Sequence, residues 1–232
     1  MVSQIFYNHS SITLREIFFK SNIGRDFSSY HQSFIKINQT ANPSDFIFFQ
    51  NRSGYGPYRS FWYEEFIKQY EKFENIALCG STINFYNNSE ISSDNNFPHV
   101  QTYSFLTKVS HLKLFNGEFP GIHETEKDKI IYNGEIYLSN FFLKQDFKIT
   151  CIEWPELPIS IDSPKIIKRD IKRNPNAKHF FYHWAFFRNN KKSKIYIRLN
   201  AIIIWMLFLI KLPFFEVYVI IKNQILLLKK IE

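Results

Sequence analysis

Two stretches decide the fold: Asn22-Ile-Gly-Arg-Asp-Phe-Ser-Ser-Tyr30 and Asp45-Phe-Ile-Phe-Phe-Gln-Asn-Arg-Ser-Gly-Tyr-Gly-Pro57. The first predicts a glycine turn that opens a helix, because apolar or aromatic residues recur at 27, 30, 34 and 37, close to helical spacing. The second contains a continuous apolar run over 46–49, which is typical of a strand buried on both faces of a sheet. It ends in a polar loop that contains two glycines. The two stretches together indicate a helix, a buried strand and a loop that collects polar groups at the strand end.

Helices and strands continue to alternate after this start. Helical spacing predicts helices over 62–70, 110–115 and 129–143, and apolar runs predict strands over 75–79, 100–106 and 147–152. Residues 87–96 are polar and predict a loop. The alternation favours an α/β fold with a mixed, largely parallel sheet flanked by helices.

The net charge of +8 is unevenly distributed over the 232 residues. Residues 1–162 carry a net charge of −4, whereas residues 163–232 carry +12. We therefore predict an α/β domain over 1–162 and a basic, aromatic and apolar C-terminal region over 163–232. A basic region of this kind favours an anionic partner surface.

The C-terminal region predicts helices that associate with a membrane surface. Its most apolar run, residues 199–210, is shorter than the ~20 residues that a spanning helix needs. A helical hairpin in the membrane interface is the favoured interpretation, with bases of residues 191–232 facing anionic headgroups. Packing on the domain core and a true membrane span are the two alternatives.

Cysteine usage and the N-terminal sequence predict a cytoplasmic setting, peripheral to the inner face of the cell membrane. Cys79 and Cys151 both lie in apolar, strand-like contexts, which favours two buried free thiols over a disulfide. The N-terminus shows no basic and apolar pattern of a secretory signal.

A set of motifs in order along residues 22–152 resembles the glycosyltransferases of rhamnan, capsule and lipopolysaccharide assembly. The resemblance implies a GT-A-type fold, a nucleotide-sugar donor, and a glycan or lipid-linked acceptor in cell-surface polysaccharide synthesis. Against a full GT-A domain the chain is expected to be shortened at its N-terminus, before the first glycine. The motifs are Gly24-Arg-Asp26, Asn51-Arg-Ser53 with Gly56-Pro57, Asn75-Ile-Ala-Leu-Cys-Gly-Ser-Thr-Ile-Asn84, Pro98-His-Val-Gln-Thr-Tyr-Ser-Phe105 and Asn133-Gly-Glu-Ile-Tyr-Leu-Ser139.

The donor is expected to contact six residues. Asp26, at a helix start, could accept hydrogen bonds from sugar or ribose hydroxyls, or it could simply suit the helix dipole. Arg52 could meet the charge of the leaving phosphate, or it could be a solvated loop residue. The predicted donor-binding residues are Gly24, Asp26, Asn51, Arg52, Ser53 and Gln101.

Two residues are candidates for acid–base chemistry on the acceptor. An inverting transfer needs a base for the acceptor hydroxyl. Glu135 is the first candidate, since Gly134 leaves it uncrowded and the resemblance implies a position near the acceptor. Surface exposure on a helix is the alternative for Glu135. His99, after Pro98 at a strand start, is the second candidate, with a structural role as its alternative.

The loop Asn51-Arg-Ser53 stands where many GT-A enzymes carry Asp-x-Asp. Two neutral side chains replace carboxylates, although hard cations prefer charged oxygen ligands. This argues against a tightly held Mg²⁺ or Mn²⁺, and Asp26 and Asn51 remain the candidate ligands if phosphate oxygens complete the shell.

Two other function classes compete with an enzyme. A degenerate transferase could serve without catalysis as a membrane-bound scaffold, with a protein partner in a polysaccharide assembly complex. Nucleic-acid binding would rest on the basic region alone, and no nucleic-acid motif appears, so no nucleic-acid partner is expected.

Overall fold

A computed structural model describes residues 16–85, 98–163, 177 and 179–185. The chain divides into two compact units, Met1–Phe181 and Tyr182–Glu232. The described part of the first unit is a mixed α/β fold. In the second unit, a short strand covers Tyr182–His183, and the Ala185 amide donates to His183 Nδ1 at 3.2 Å.

The helices and strands that the sequence predicts occur in the first unit in the predicted order, and the structure adds two short strands that the sequence did not predict, at 54–55 and 83–84. The helices are α1 (Arg25–Ile37), α2 (Trp62–Glu71), α3 (Val109–Lys113), α4 (Lys127–Ile130) and α5 (Tyr137–Leu143), and a π-helical segment (Ile131–Ile136) joins α4 to α5. The strands are β1 (Phe46–Gln50), β2 (Gly54–Tyr55), β3 (Ile76–Gly80), β4 (Ile83–Asn84), β5 (His99–Val100), β6 (Ser104–Lys108) and β7 (Lys148–Cys151).

The central sheet has four strands in the order β1-β6-β3-β7. Strand β6 is antiparallel to both of its neighbours. Leu106 of β6 lies opposite Phe48 of β1 on one side and opposite Cys79 of β3 on the other. Only the β3–β7 pair is parallel. The prediction of a largely parallel sheet is therefore wrong, because β6 pairs antiparallel with both β1 and β3. The described ends of the connection from β3 to β6 form the short antiparallel pair β4–β5.

Both faces of this sheet are covered, as the continuous apolar strands predict. Alternate residues of β1 point to opposite sides, with Ile47 and Phe49 in one cluster and Phe46 and Phe48 against the other. The first cluster also contains apolar residues of α1, α3 and α5, and the second contains Phe66 of α2. The first unit is therefore a layered α/β structure with its apolar residues on both sides of one sheet.

Two predicted elements differ in detail from the structure. The predicted strand over 100–106 is two strands, because residues 101–103 separate β5, which pairs with β4, from β6 of the central sheet. The predicted helix over 129–143 is continuous in direction but wider in its first half, where the π-helical segment lies. Both departures fall at candidate site residues.

Three other predictions concern the cysteines, the polar loop and the C-terminal region. Both cysteines are buried and free, as expected. The loop over 87–96 and the membrane-associating residues 191–232 lie outside the described residues. No helix in the described ranges combines the length and the apolar character that crossing a membrane requires.

Candidate functional site

Polar side chains gather at one edge of the central sheet. Strands β1 and β3 both run antiparallel to β6, so their carboxyl ends meet beside the amino end of β6. Asn51 follows β1, Ser81 and Thr82 follow β3, and residues 101–103 precede β6. Ligands of open α/β sheets bind outside the carboxyl ends of strands, so this edge is the candidate site.

One half of the site joins the start of α1 to the end of β1. The Asn51 side chain donates from Nδ2 to Asp26 Oδ2 at 3.0 Å, and its Oδ1 accepts the Ser53 amide hydrogen at 2.8 Å. These two bonds fix the orientation of the amide, since only the nitrogen can donate and only the oxygen can accept. The structure thus brings together three predicted residues, Asp26, Asn51 and Ser53.

The other half of the site holds Glu135, which lies in the π-helical segment. Glu135 Oε1 accepts the Thr102 amide hydrogen at 2.8 Å. No hydrogen bond to Glu135 Oε2 occurs within the described parts of the chain. Single π-helical turns often occur at functional sites, and here the wider turn carries the candidate base.

Tyr30 lies between the two halves and was not among the predicted site residues. Its hydroxyl donates to the Thr102 carbonyl at 2.9 Å. Burial raises the pKa of Tyr30 well above its usual value, and the charges of Asp26 and Glu135 raise it further, while a hydrogen bond from Asn51 acts in the opposite sense. Its signal in the sequence was its position four residues after Asp26, which places both side chains on one face of α1.

Three glycines allow α1 to approach the segment that carries Glu135. A Cβ atom on Gly134 would lie 2.6 Å from Phe27 Cε2, and one on Gly121 would lie 2.9 Å from the Gly134 Cα atom. Gly24 has a φ of +67° and donates its amide hydrogen to the Glu124 carbonyl at 2.8 Å. The glycine at 134 therefore serves close packing against α1, a reason that differs from the uncrowded carboxylate that the sequence suggested.

The remaining predicted residues are less central to this cluster. Gln101 accepts the Thr82 hydroxyl hydrogen at 2.7 Å through its side-chain oxygen, so it borders the site from the β4–β5 side. Arg52 is exposed at the tip of the loop. His99 is 2% exposed within β5, opposite Asn84.

A further acidic residue at this edge escaped sequence reasoning. Glu153, two residues after β7, is 4% exposed, and its amide donates to the Ser81 carbonyl at 3.2 Å. Burial raises the pKa of Tyr103 to about 12, with Glu153 adding to the rise and hydrogen bonds from Thr82 and Ser81 opposing it. No motif marked Glu153, since its neighbours in the sequence are those of an ordinary strand end.

The cluster does not fit a tightly held divalent cation. The Asn51 oxygen already accepts a hydrogen bond, and the Asn51 nitrogen directs a hydrogen toward the Asp26 carboxylate, where a cation would have to sit. Mg²⁺ and Mn²⁺ need several oxygen ligands, and Asp26 offers one unused oxygen. In residues 16–85, 98–163, 177 and 179–185, no three His, Cys, Asp or Glu side chains are grouped to hold a metal.

A separate groove of about 930 Å³ runs along α2, away from this cluster. Its walls include Lys68, Lys72 and Glu156, of which the last two form an exposed ion pair with a nitrogen–oxygen distance of 2.5 Å. None of the predicted site residues lines the groove, and its charges of both signs favour no particular ligand.

Comparison of the chain with protein-family models, with curated proteins and with solved structures found no match in any of the three. The arguments for function therefore rest on the residues and their geometry.

Proposed function

We propose that the protein is a glycosyltransferase of GT-A type that moves a sugar from a nucleotide-sugar donor to a glycan or lipid-linked acceptor. The convergence of Asp26, Asn51, Ser53 and Glu135 on one sheet edge supports this proposal above all other observations. These residues come from three distant parts of the sequence, and each lies in one of the motifs that resemble the glycosyltransferase family.

The chemistry of the cluster suits a ligand rich in hydroxyl groups. Carboxylate and amide groups accept and donate hydrogen bonds in the pattern that sugar hydroxyls require. Asp26 Oδ1 and Glu135 Oε2 have no hydrogen-bond partner among the described residues, so both can accept from a ligand. We assign Asp26, Asn51 and Ser53 to the donor sugar or ribose and Glu135 to the acceptor.

In the proposed inverting reaction, Glu135 takes the proton of the attacking acceptor hydroxyl. The acceptor oxygen forms a bond to the anomeric carbon while the bond from that carbon to the phosphate oxygen breaks. The electron pair of the broken bond stays on the nucleoside diphosphate, which leaves with its negative charge. The Thr102 amide orients the Glu135 carboxylate through Oε1, and the proton is accepted at Oε2.

A donor-binding and turnover experiment tests this proposal. A panel of UDP-, GDP- and dTDP-sugars is titrated against the full chain, and release of the free nucleoside diphosphate is followed. We expect saturable binding of at least one donor, loss of binding in Asp26→Ala, and retained binding with lost turnover in Glu135→Gln. The matched control is Glu126→Gln, because Glu126 is an exposed acid that pairs with Lys129 outside the cluster.

A non-catalytic scaffold is the second candidate, favoured by the neutral side chains of Asn51 and Ser53 in place of carboxylates. It would use the same cluster without turnover, in an assembly complex at the membrane. Under this alternative, Glu135→Gln leaves cellular glycan synthesis intact, whereas deletion of residues 191–232 abolishes it. Loss of synthesis in Glu135→Gln would exclude the scaffold.

The absence of any donor binding in the wild-type chain, together with an unchanged result for Asp26→Ala, would remove the enzyme proposal.

A further inference from the structure

The peptide segment Thr102–Tyr103 connects the two halves of the candidate site. The Thr102 carbonyl accepts from the Tyr30 hydroxyl at 2.9 Å, and the Thr102 amide donates to Glu135 Oε1 at 2.8 Å. The Tyr103 carbonyl accepts a hydrogen bond from the backbone amide of Asn51 at 3.2 Å. Residues of α1, the β1 loop and the π-helical segment therefore all bind one short stretch of backbone between β5 and β6.

We propose that Tyr30 is a positioning residue that fixes Glu135 relative to Asp26 through the backbone carbonyl and amide of Thr102. The inference rests on the proposed function for its meaning in catalysis, although its structural content can be tested alone. Tyr30 contacts no reacting atom in this proposal, and it acts only by holding the carbonyl of the residue whose amide orients Glu135.

The environment of Tyr30 supports such a role. Its ring is 5% exposed and packs against Phe49, Phe105 and Phe27, with ring-centre distances of 4.8, 5.8 and 5.9 Å. Packing on three sides leaves the hydroxyl little freedom to move away from Thr102. Because burial raises the pKa of Tyr30, the hydroxyl remains protonated and keeps donating at every pH near neutrality.

Tyr70 offers a matched control on the other side of the sheet. It is 4% exposed, and its hydroxyl lies 2.7 Å from His111 Nδ1, outside the candidate site. Tyr70→Phe and Tyr30→Phe each remove one buried hydroxyl, so both should lower the melting temperature by about 2–4 °C in a chain of this size. A difference between the two variants in amide exchange or in kinetics then reflects where the lost hydroxyl lies and not a general loss of stability.

The decisive measurement is hydrogen exchange at the Thr102 amide in the full chain, read by NMR. We expect Tyr30→Phe to speed exchange at this amide by at least about tenfold, because the backbone of Thr102 is released at its carbonyl, in the next peptide group along the chain. Tyr70→Phe should change the exchange rate of the Thr102 amide by no more than the loss of global stability accounts for. Equal exchange rates in Tyr30→Phe and Tyr70→Phe would overturn the inference.

Steady-state kinetics then connect the geometry to the reaction. We expect Tyr30→Phe to lower kcat by about tenfold with donor KM changed by less than about twofold, since a displaced base affects the chemical step and not ground-state binding. A uniform rise in KM with unchanged kcat would contradict a positioning role. If the wild-type chain binds no donor, the proposed function fails, and the exchange rates still decide whether Tyr30 orders Thr102.

Discussion

Replacing Asn51 by aspartate tests whether the amide at this position is required by its hydrogen-bond chemistry. The change keeps the shape of the side chain and converts its donating nitrogen into an oxygen. In the wild type this nitrogen lies 3.0 Å from Asp26 Oδ2, so Asn51→Asp places two carboxylate oxygens against each other. The bond from the Ser53 amide to Oδ1 survives, because a carboxylate oxygen also accepts.

The expected loss of stability follows from two contributions. Removing a hydrogen bond to a charged group costs about 1.5–3 kcal/mol. Two unit charges about 3 Å apart repel by roughly 1.4 kcal/mol in water and by several kcal/mol nearer a protein interior. Both side chains are half-buried and can rotate apart, so we expect the free energy of unfolding to fall by about 2–4 kcal/mol at neutral pH.

Urea denaturation at pH 7 and at about pH 4 measures this effect, because acid protonates carboxyl groups. Once one carboxyl holds a proton, it donates to the other, so the difference from wild type should shrink in acid. Asn133→Asp is the matched control, since Asn133 Nδ2 donates to Glu124 Oε1 at 2.6 Å. Asn133→Asp should lower the free energy of unfolding by a comparable amount and retain donor binding. Asn51→Asp should lower the free energy of unfolding and also lose donor binding. Wild-type stability for Asn51→Asp at pH 7, or an equal loss at both pH values, would refute the reasoning.

Three further predictions concern packing, protonation and thiol chemistry. Gly134→Ala should lower the free energy of unfolding by about 1–3 kcal/mol in urea denaturation, because the new Cβ would lie 2.6 Å from Phe27 Cε2; an unchanged midpoint would contradict the close packing. Burial, and secondarily a nearby lysine, lower the pKa of His111 to about 4, so stability should fall as the pH drops from about 6.5 to 4 while the unfolded chain binds the extra proton. The loss, discounted for partial exposure, is about 1–2 kcal/mol, and a denaturation series over this range should flatten in His111→Gln. Burial raises the pKa of Cys79 and of Cys151, the latter to about 12, so an aromatic disulfide reagent at about pH 8 should label neither thiol until denaturant is added; rapid labelling of the native chain would contradict their burial.

The sequence predicted the elements of the first unit better than their connections. Apolar runs located β1 and β3 within a residue or two, because a strand covered on both faces needs consecutive apolar side chains. The direction of β6 could not be read in this way, since parallel and antiparallel strands share the same periodicity. Direction depends on the length of the connection, and the polar stretch before Pro98 gave no indication of it.

For the candidate site, the sequence located the side chains and missed the backbone that joins them. Asp26, Asn51 and Glu135 carry functional groups that suggest chemistry, and the motifs that resemble the glycosyltransferase family singled them out. Thr102 contributes only its backbone amide and carbonyl, which nearly every residue possesses, and nothing in its identity marks the role. In the sequence, Tyr30 has the spacing of an apolar position on a helix. Its role in the site depends on the hydrogen bond from its hydroxyl to the Thr102 carbonyl, which the sequence does not reveal.

The position of Asn51 bears on the choice between a transferase and a scaffold. An aspartate here could not donate to Asp26, so the neutral amide is explained by the bonds that join α1 to the β1 loop, with no need for a lost catalytic function. A transferase still requires positive charge for its leaving diphosphate, and residues 1–162 carry a net charge of −4. Arg25 and Arg52 are exposed beside the cluster, and the net positive charge of the chain resides in residues 163–232. If the proposed reaction occurs without an added divalent cation, basic side chains of the protein must supply the positive charge. Neutralising Arg25 and Arg52 together should then weaken binding of a free nucleoside diphosphate more than it weakens binding of the nucleoside.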